Sequence, residues 1–213
     1  MRLYEKYRPK DWNEVIGQDK IVKRIKTMAG QDRLSGQSFF ISGKSGQGKT
    51  TIALLLAREV ASDSCITELD ASELTPARLR DIEQEMAFYG LGKGGRAFIV
   101  NEAHGLRQDT IRQLLVLLER LPDHVVFVFT TTREGQENLF GETEDAHPLL
   151  SRCIELKLNT QGLADKFAGK AREIANKEGL NGQPESAYKR LANNTKSNFR
   201  AMLQAIESGE MLK

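Results

Sequence analysis

The sequence is short of cysteine: 213 residues contain two, Cys65 and Cys153. Two are too few for a disulfide framework and lack the paired spacing of a zinc site, so they point to a reducing compartment and to small buried thiols. Proline is also scarce, at five residues, which excludes collagen-like and proline-rich low-complexity classes. No run approaches the ~18 apolar residues of a membrane span. Met1 to Lys10 alternates charges with aromatics where a signal peptide would have an apolar core. The expected location is cytoplasmic, with no membrane partner. A net charge of +2 gives no broad basic surface, so any nucleic-acid contact must be local. Lys and Arg outnumber acids before Phe39 and after Leu156, while the middle of the chain is acid-rich.

What is present is an ordinary globular composition, 39% hydrophobic and 28% charged, in a length that suits one or two domains. Short apolar runs at Ser38–Ser42, Cys65–Leu69, Ala97–Val100, Val125–Phe129 and Ile154–Leu158 alternate with helical patterns. That alternation predicts an α/β fold with a five-stranded parallel sheet and helices on both faces. Val125–Phe129 is apolar throughout and should be central. Ile111, Leu114, Leu115 and Leu118 repeat at helical spacing before Pro122, predicting a helix over Asp109–Arg120; Thr50–Ala61 is another. After Leu158 the strand signals cease. Helices are expected over Thr160–Glu178, Glu185–Asn193 and Ser197–Ser208, with Gly179 and Gly209 at their C-caps. The change of texture near Asn159 predicts an α/β domain at residues 1–159 and a small helical domain at 160–213.

Gly43–Thr50 reads GKSGQGKT, a complete G-x-x-x-x-G-K-T between a strand and a helix. Backbone N–H groups of Gly43, Lys44, Ser45, Gly46, Gln47 and Gly48 can face phosphate oxygens, because the glycines relieve steric limits and the helix start adds its positive dipole end. Lys49 would reach the β- and γ-phosphates, and Thr50, followed by Thr51, would ligate magnesium. ATP and Mg²⁺ are the expected cofactors. The strand Ala97–Val100 leads to Asn101 and Glu102, where a carboxylate can orient the attacking water. Asn101 stands where a magnesium-binding aspartate is usual; it offers a carbonyl oxygen without charge, which predicts weaker metal binding or slower hydrolysis.

In order, Leu3–Ile25 (LYEKYRPKDWNEVIGQDKIVKRI), the P-loop, the NEAH box at Asn101–His104 and LLSRC at Leu149–Cys153 resemble replication factor C small subunits and the bacterial gamma/tau clamp-loader subunit. The resemblance covers nearly the whole chain and implies an AAA+ P-loop NTPase with a helical lid. Its YRP and V-I-G-Q elements are shared with other AAA+ proteins such as Holliday-junction motors; the SRC triplet is more restricted to clamp loaders. It implies an adenine pocket lined by Tyr7, Arg8, Pro9, Val15 and Ile16. Thr132 matches the position that reads the γ-phosphate, with Thr131 the alternative by one register. Arg200 matches the lid arginine that touches ATP. Arg152 matches an arginine finger supplied in trans to the neighbouring subunit, where a guanidinium stabilises charge on the transferred phosphoryl group. The implied partners are other clamp-loader subunits, the sliding clamp and primer-template DNA, the last through phosphate contacts near Arg78, Arg80 and Arg107.

Two features depart from the family pattern. The stretch REGQENLFGETEDAHPLL at residues 133–150 is longer than expected there. Family members also usually carry a helical collar beyond the lid, whereas this sequence ends at Lys213. Two alternative functions stand beside an ATP-hydrolysing loader subunit: a hydrolysis-poor structural subunit supplying Arg152 to a neighbour, and a branch-migration ATPase.

Overall fold

The structure, a computed structural model, describes residues 1–132 and 146–212; the acidic stretch at Gly141–Asp145 lies outside the described residues. The chain divides into two compact units. One holds Lys20–Gly43 and Lys49–Lys157 and contains the sheet. The other, which is helical, holds Met1–Asp19, Lys44–Gly48 and Leu158–Lys213.

The sheet unit has five parallel strands: β1 (Gln37–Ser42), β2 (Ala61–Asp70), β3 (Gly95–Asn101), β4 (Val125–Thr131) and β5 (Ile154–Lys157). Their order is β2-β3-β4-β1-β5, so the strand with no polar alternation is the middle one, and all seven of its residues are buried. Side chains alternate across the sheet. Phe40, Phe98, Val100, Phe127 and Phe129 share one face with Leu79 and Ile82 of a helix at Pro76–Met86 and with Ile111, Leu114 and Leu117 of a helix at Gln108–Glu119. The first of these helices starts where Thr75 accepts the Arg78 N–H (3.2 Å) and Pro76 supplies a preset φ. The opposite face is covered by the helix Lys49–Val60, packed on β3 and β4 through residues such as Ile52 and Leu56. Truncating a fully buried phenylalanine here to alanine should cost ~3–5 kcal/mol.

This order matters for the site. β4 lies between β3 and β1, so the residues leaving all three strands emerge at one end of the sheet. Register pairs Ser42 with Thr131, Ile41 with Thr130 and Val100 with Phe129. Ligands of open α/β sheets gather at such strand ends.

In the helical unit, the helices Leu163–Lys177, Glu185–Asn194 and Phe199–Glu207 enclose Phe167, Ala171, Ile174, Tyr188, Leu191, Met202 and Ile206. The short N-terminal helix Leu3–Lys6 packs on the last of them and buries Leu3. Gly179 and Gly209 end the first and third helices in the left-handed region, at φ +70° and +89°. The N–H of Leu180 returns to Ala175 O at 2.8 Å, and that of Glu210 to Ala205 O at 3.1 Å. The middle helix ends in the same way with Lys196 and Ser197 in that region instead, at φ +52° and +59°. A lone such residue costs ~1–2 kcal/mol when it carries a Cβ.

Among the described residues, no helix is long and apolar enough to cross a membrane.

Candidate functional site

The motif Gly43–Thr50 is divided between the units: Gly43, Lys49 and Thr50 belong to the sheet unit and Lys44–Gly48 to the helical unit. In the sheet unit, Lys49 is buried at 7% exposure, and its Nζ donates to the Gly43 carbonyl (3.1 Å). Thr50 follows Lys49 at the start of the helix, and its hydroxyl donates to Asn101 Oδ1 at 3.2 Å. Thr130, at the end of β4, donates to the same oxygen at 2.9 Å. Asn101 Nδ2 donates in turn to Glu68 Oε1 on β2, at 2.6 Å. One amide thus links three strands and the phosphate-loop helix. Neither Thr130 nor Glu68 stands out in the sequence; the signal for both is the register that brings β2, β3 and β4 together at this end.

Glu102 leaves β3 with φ +51° and ψ +47°, the left-handed region that a side chain with a Cβ rarely adopts. Strain of this kind concentrates at functional sites. Its carboxylate is exposed, with Oε2 3.5 Å from His104 Nδ1, and that imidazole nitrogen also lies 3.1 Å from the Thr131 hydroxyl. Thr131 is fully buried, whereas Thr132 is half-buried at the edge of the described segment. Thr51 is half-buried on the helix.

In the helical unit, Gln47 is buried and its Oε1 accepts the Lys44 N–H (3.0 Å), closing the loop on itself. Lys44 and Ser45 are exposed. Gly46 has φ +72°, and a Cβ there would sit 1.8 Å from Asn198 Oδ1. Only glycine meets both conditions. The Gly46 carbonyl accepts the Phe199 N–H (3.2 Å), so the first turn of the last helix holds the arc of the loop. Gly48 has φ +95°, while Gly43 has no positive φ.

Tyr7 donates to Glu178 Oε1 at 2.5 Å, beside Lys6 Nζ at 2.7 Å from the same oxygen. The hydrogen bond to Glu178 raises the Tyr7 phenol above its ordinary value, and the Lys6 ammonium lowers the Glu178 carboxyl. Arg8, Pro9, Val15 and Ile16 are half-buried, and Tyr7 and Ile16 pack against the helical core. Arg200 is exposed, with its guanidinium carbon 5.4 Å from the centre of the Tyr4 ring.

Arg152 lies at the foot of β5, half-buried. Its Nη1 donates to Pro148 O (3.1 Å), and its Nε and Nη2 both reach Glu119 of the same chain. Arg78 pairs with Glu85 at 2.8 Å, while Arg80 and Arg107 are exposed. Burial pushes the neighbouring Cys153 thiol up to about 12, which makes it a core thiol and no nucleophile.

Among the described residues, no group of three or more His, Cys, Asp or Glu could hold a metal ion. What the sheet end offers instead is a hydroxyl and an amide oxygen, with the Glu102 and Glu68 carboxylates nearby. Such oxygen donors fit a hard cation that keeps most of its water or phosphate ligands, as magnesium does.

The family model described as the TIP49 P-loop domain matches residues 4–87. The chain is 30% identical over 157 residues to DNA polymerase III subunit gamma/tau of Mycobacterium tuberculosis, spanning 62% of this chain and 27% of that protein. It is 26% identical over 228 residues to DNA polymerase III subunit gamma of Buchnera aphidicola, spanning 96% of this chain and 60% of the relative. Against the tau subunit of Escherichia coli the figures are 25% over 235 residues, 98% and 35%. This chain therefore spans between about a quarter and three fifths of these relatives' length. A solved RuvB variant from Thermotoga maritima superposes with a TM-score of 0.70 at 20% identity, over 94% of this chain and 64% of that one. That likeness establishes the fold, the AAA+ P-loop arrangement of a parallel sheet followed by helices. In sequence, the chain is similar to bacterial clamp-loader subunits.

Proposed function

We propose that the chain is an ATP-binding, ATP-hydrolysing subunit of a DNA sliding-clamp loader. The observation that carries the reading is the cluster at the sheet end, where the P-loop threonine Thr50 meets Asn101 and Thr130 within hydrogen-bond distance, in a sequence similar to gamma/tau subunits. Lys49 would neutralise the β- and γ-phosphates, and Thr50 and Asn101 would hold magnesium, whose charge would stabilise the phosphoryl oxygens when bound. Glu102 accepts a proton from the attacking water or orients it, and its exposed carboxylate with backbone strain suits that task. Arg152 reaches the ATP of the next subunit, and Arg200 closes the lid on its own. Tyr7, Arg8, Pro9, Val15 and Ile16 border the adenine.

Oligomer, clamp and DNA follow from the same reading. Exposed Arg80 and Arg107 offer phosphate contacts that need no base readout. Phe88, Tyr89 and Leu91 hold large apolar side chains in solvent, a surface of the kind a protein partner covers.

The test is turnover and clamp loading by the purified chain with its companion subunits on primed DNA. ATP turnover that rises with clamp and primed DNA is the expected result; strand movement at four-way junctions without any clamp effect would instead favour a branch-migration enzyme. A second reading, a subunit that binds ATP but barely hydrolyses it, draws support from the uncharged Asn101. Vigorous turnover by the isolated chain would remove it.

A further inference from the structure

At the sheet end, the two polar atoms of Asn101 face opposite requirements. Its Oδ1 accepts from two hydroxyls, Thr50 and Thr130, and its Nδ2 donates to the Glu68 carboxylate. Turning the amide over would aim Nδ2 at the two threonine oxygens and set Oδ1 against a carboxylate oxygen 2.6 Å away. An ionised carboxylate only accepts, so that second arrangement brings two acceptors together with no proton between them. Glu68 therefore decides which way the amide faces.

The consequence falls on Thr50. When its hydroxyl donates to Asn101, its oxygen lone pairs stay free for a cation. With the amide reversed, Nδ2–H would donate to that oxygen and compete for the same lone pair. We infer that Glu68 is a positioning residue which, by fixing the Asn101 amide, keeps the Thr50 oxygen available to magnesium; the role rests on the nucleotide reading above. An aspartate at this place would have no amide to orient, and its second oxygen would meet the Glu68 carboxylate as a like charge. Glu68 is thus the compensation that lets an uncharged residue stand at the end of β3.

The test compares ATP affinity by calorimetry in magnesium with that in EDTA, for the full chain. Glu68→Ala should reduce the magnesium-to-EDTA affinity ratio by about tenfold or more, the usual effect of losing an outer partner of a metal ligand. Glu68→Gln, whose amide can donate as well as accept, no longer rejects the reversed orientation and should also lower the ratio, by no more than Glu68→Ala does. In an Asn101→Asp background, where two carboxylates would face each other, Glu68→Ala should relieve that repulsion and raise the ratio, or at least not lower it. An unchanged ratio in Glu68→Ala or in Glu68→Gln, or the same loss in the Asp background, would overturn the orientation argument while the nucleotide site stood. Absence of ATP binding by the wild-type chain would overturn both. Glu68 is exposed, so these variants should fold, and the ligand-free protein offers a check that needs no nucleotide. The Asn101 side-chain amide protons should show one strongly hydrogen-bonded signal by NMR that Glu68→Ala abolishes. Persistence of that signal in Glu68→Ala would end the proposal.

Discussion

The two stretches that carry the P-loop motif are held by different means. At the sheet end, polar side chains do the holding: Asn101 bonds to Thr50, Thr130 and Glu68, Lys49 donates to the Gly43 carbonyl, and Arg152 is engaged by Glu119. Strand register fixes the Asn101 contacts to Glu68 and Thr130, and the middle strand β4 is buried along its whole length. In the helical unit, the arc Lys44–Gly48 is held by backbone and by shape: the Phe199 N–H on Gly46 O, and Asn198 filling the space where a Cβ would be. Side chains that perform chemistry gain from a rigid sheet, whereas a loop whose backbone faces phosphate must have its own N–H groups kept free. Substitutions should therefore act through chemistry in the first region and through conformation in the second.

The largest expected effect tests the chemical side. Arg152→Ala should leave ATP affinity of the isolated chain intact and lower hydrolysis in the assembled complex by ~10³-fold, the scale of an arginine finger. An equal loss in the isolated chain would mean that Arg152 serves only its own fold through Glu119. The conformational side is tested by Gly46→Ala. It forces a Cβ into a left-handed backbone and against Asn198, for a loss of ~2–4 kcal/mol in urea unfolding from the two causes together. Adding Asn198→Gly should recover part of it by opening the space. A loss well below 1 kcal/mol would show that the arc yields freely, and the contrast between the regions would fail.

Which parts of this were legible in the sequence follows the same division. The strands and the phosphate motif were readable because each is a local pattern: apolar runs of strand length, and eight residues of fixed spacing. β2 was read as Cys65–Leu69 and runs from Ala61 to Asp70, because its first half is polar and its pairing with β3 shifts between Ala61 and Ile66. The helix expected from Thr160 starts at Leu163, after Gly162 turns the chain at φ +67°. Glu68 and Thr130 were invisible as site residues, since their partner Asn101 lies about thirty residues from each and only the strand order joins them. The threonines singled out from the sequence were Thr132 and Thr131; the hydroxyl that reaches Asn101 is that of Thr130. Within a run of three threonines, one residue of register decides which face a side chain takes, and composition carries no such information. The hold of Asn198 on Gly46 was equally hidden, being a contact between a backbone and a side chain far apart in sequence.

A smaller effect separates conformation from chemistry within the helical unit. Lys196→Gly removes a Cβ from a left-handed C-cap position and should stabilise the chain by about 1 kcal/mol. Ser197→Gly should act in the same direction. Neither touches a group with a role in hydrolysis, so a gain in melting temperature with unchanged ATP affinity is the expected outcome. If ATP affinity falls while stability rises, the strained pair is holding the turn before Asn198 in a form that matters for binding, and the helical unit contributes more than shape.

The smallest effect comes from charge on that unit's surface. Glu173 lies 2.7 Å from Lys177 and 2.9 Å from Lys170, and the two hydrogen bonds, that of Lys177 first, hold its carboxyl down to about 2. A carboxyl lowered on folding contributes stability above its unfolded value, near ~4.3, and loses that contribution as pH falls toward the folded one. Wild type should therefore exceed Glu173→Gln in melting temperature at neutral pH, and the gap should close between about pH 5 and pH 2. All three side chains are at least one-third exposed, so water and salt screen them and the gap should shrink further in ~1 M salt. A gap that stays constant from neutral pH to the acid limit would trace to helix propensity or packing, and the surface charges of the helical unit would then carry none of its stability.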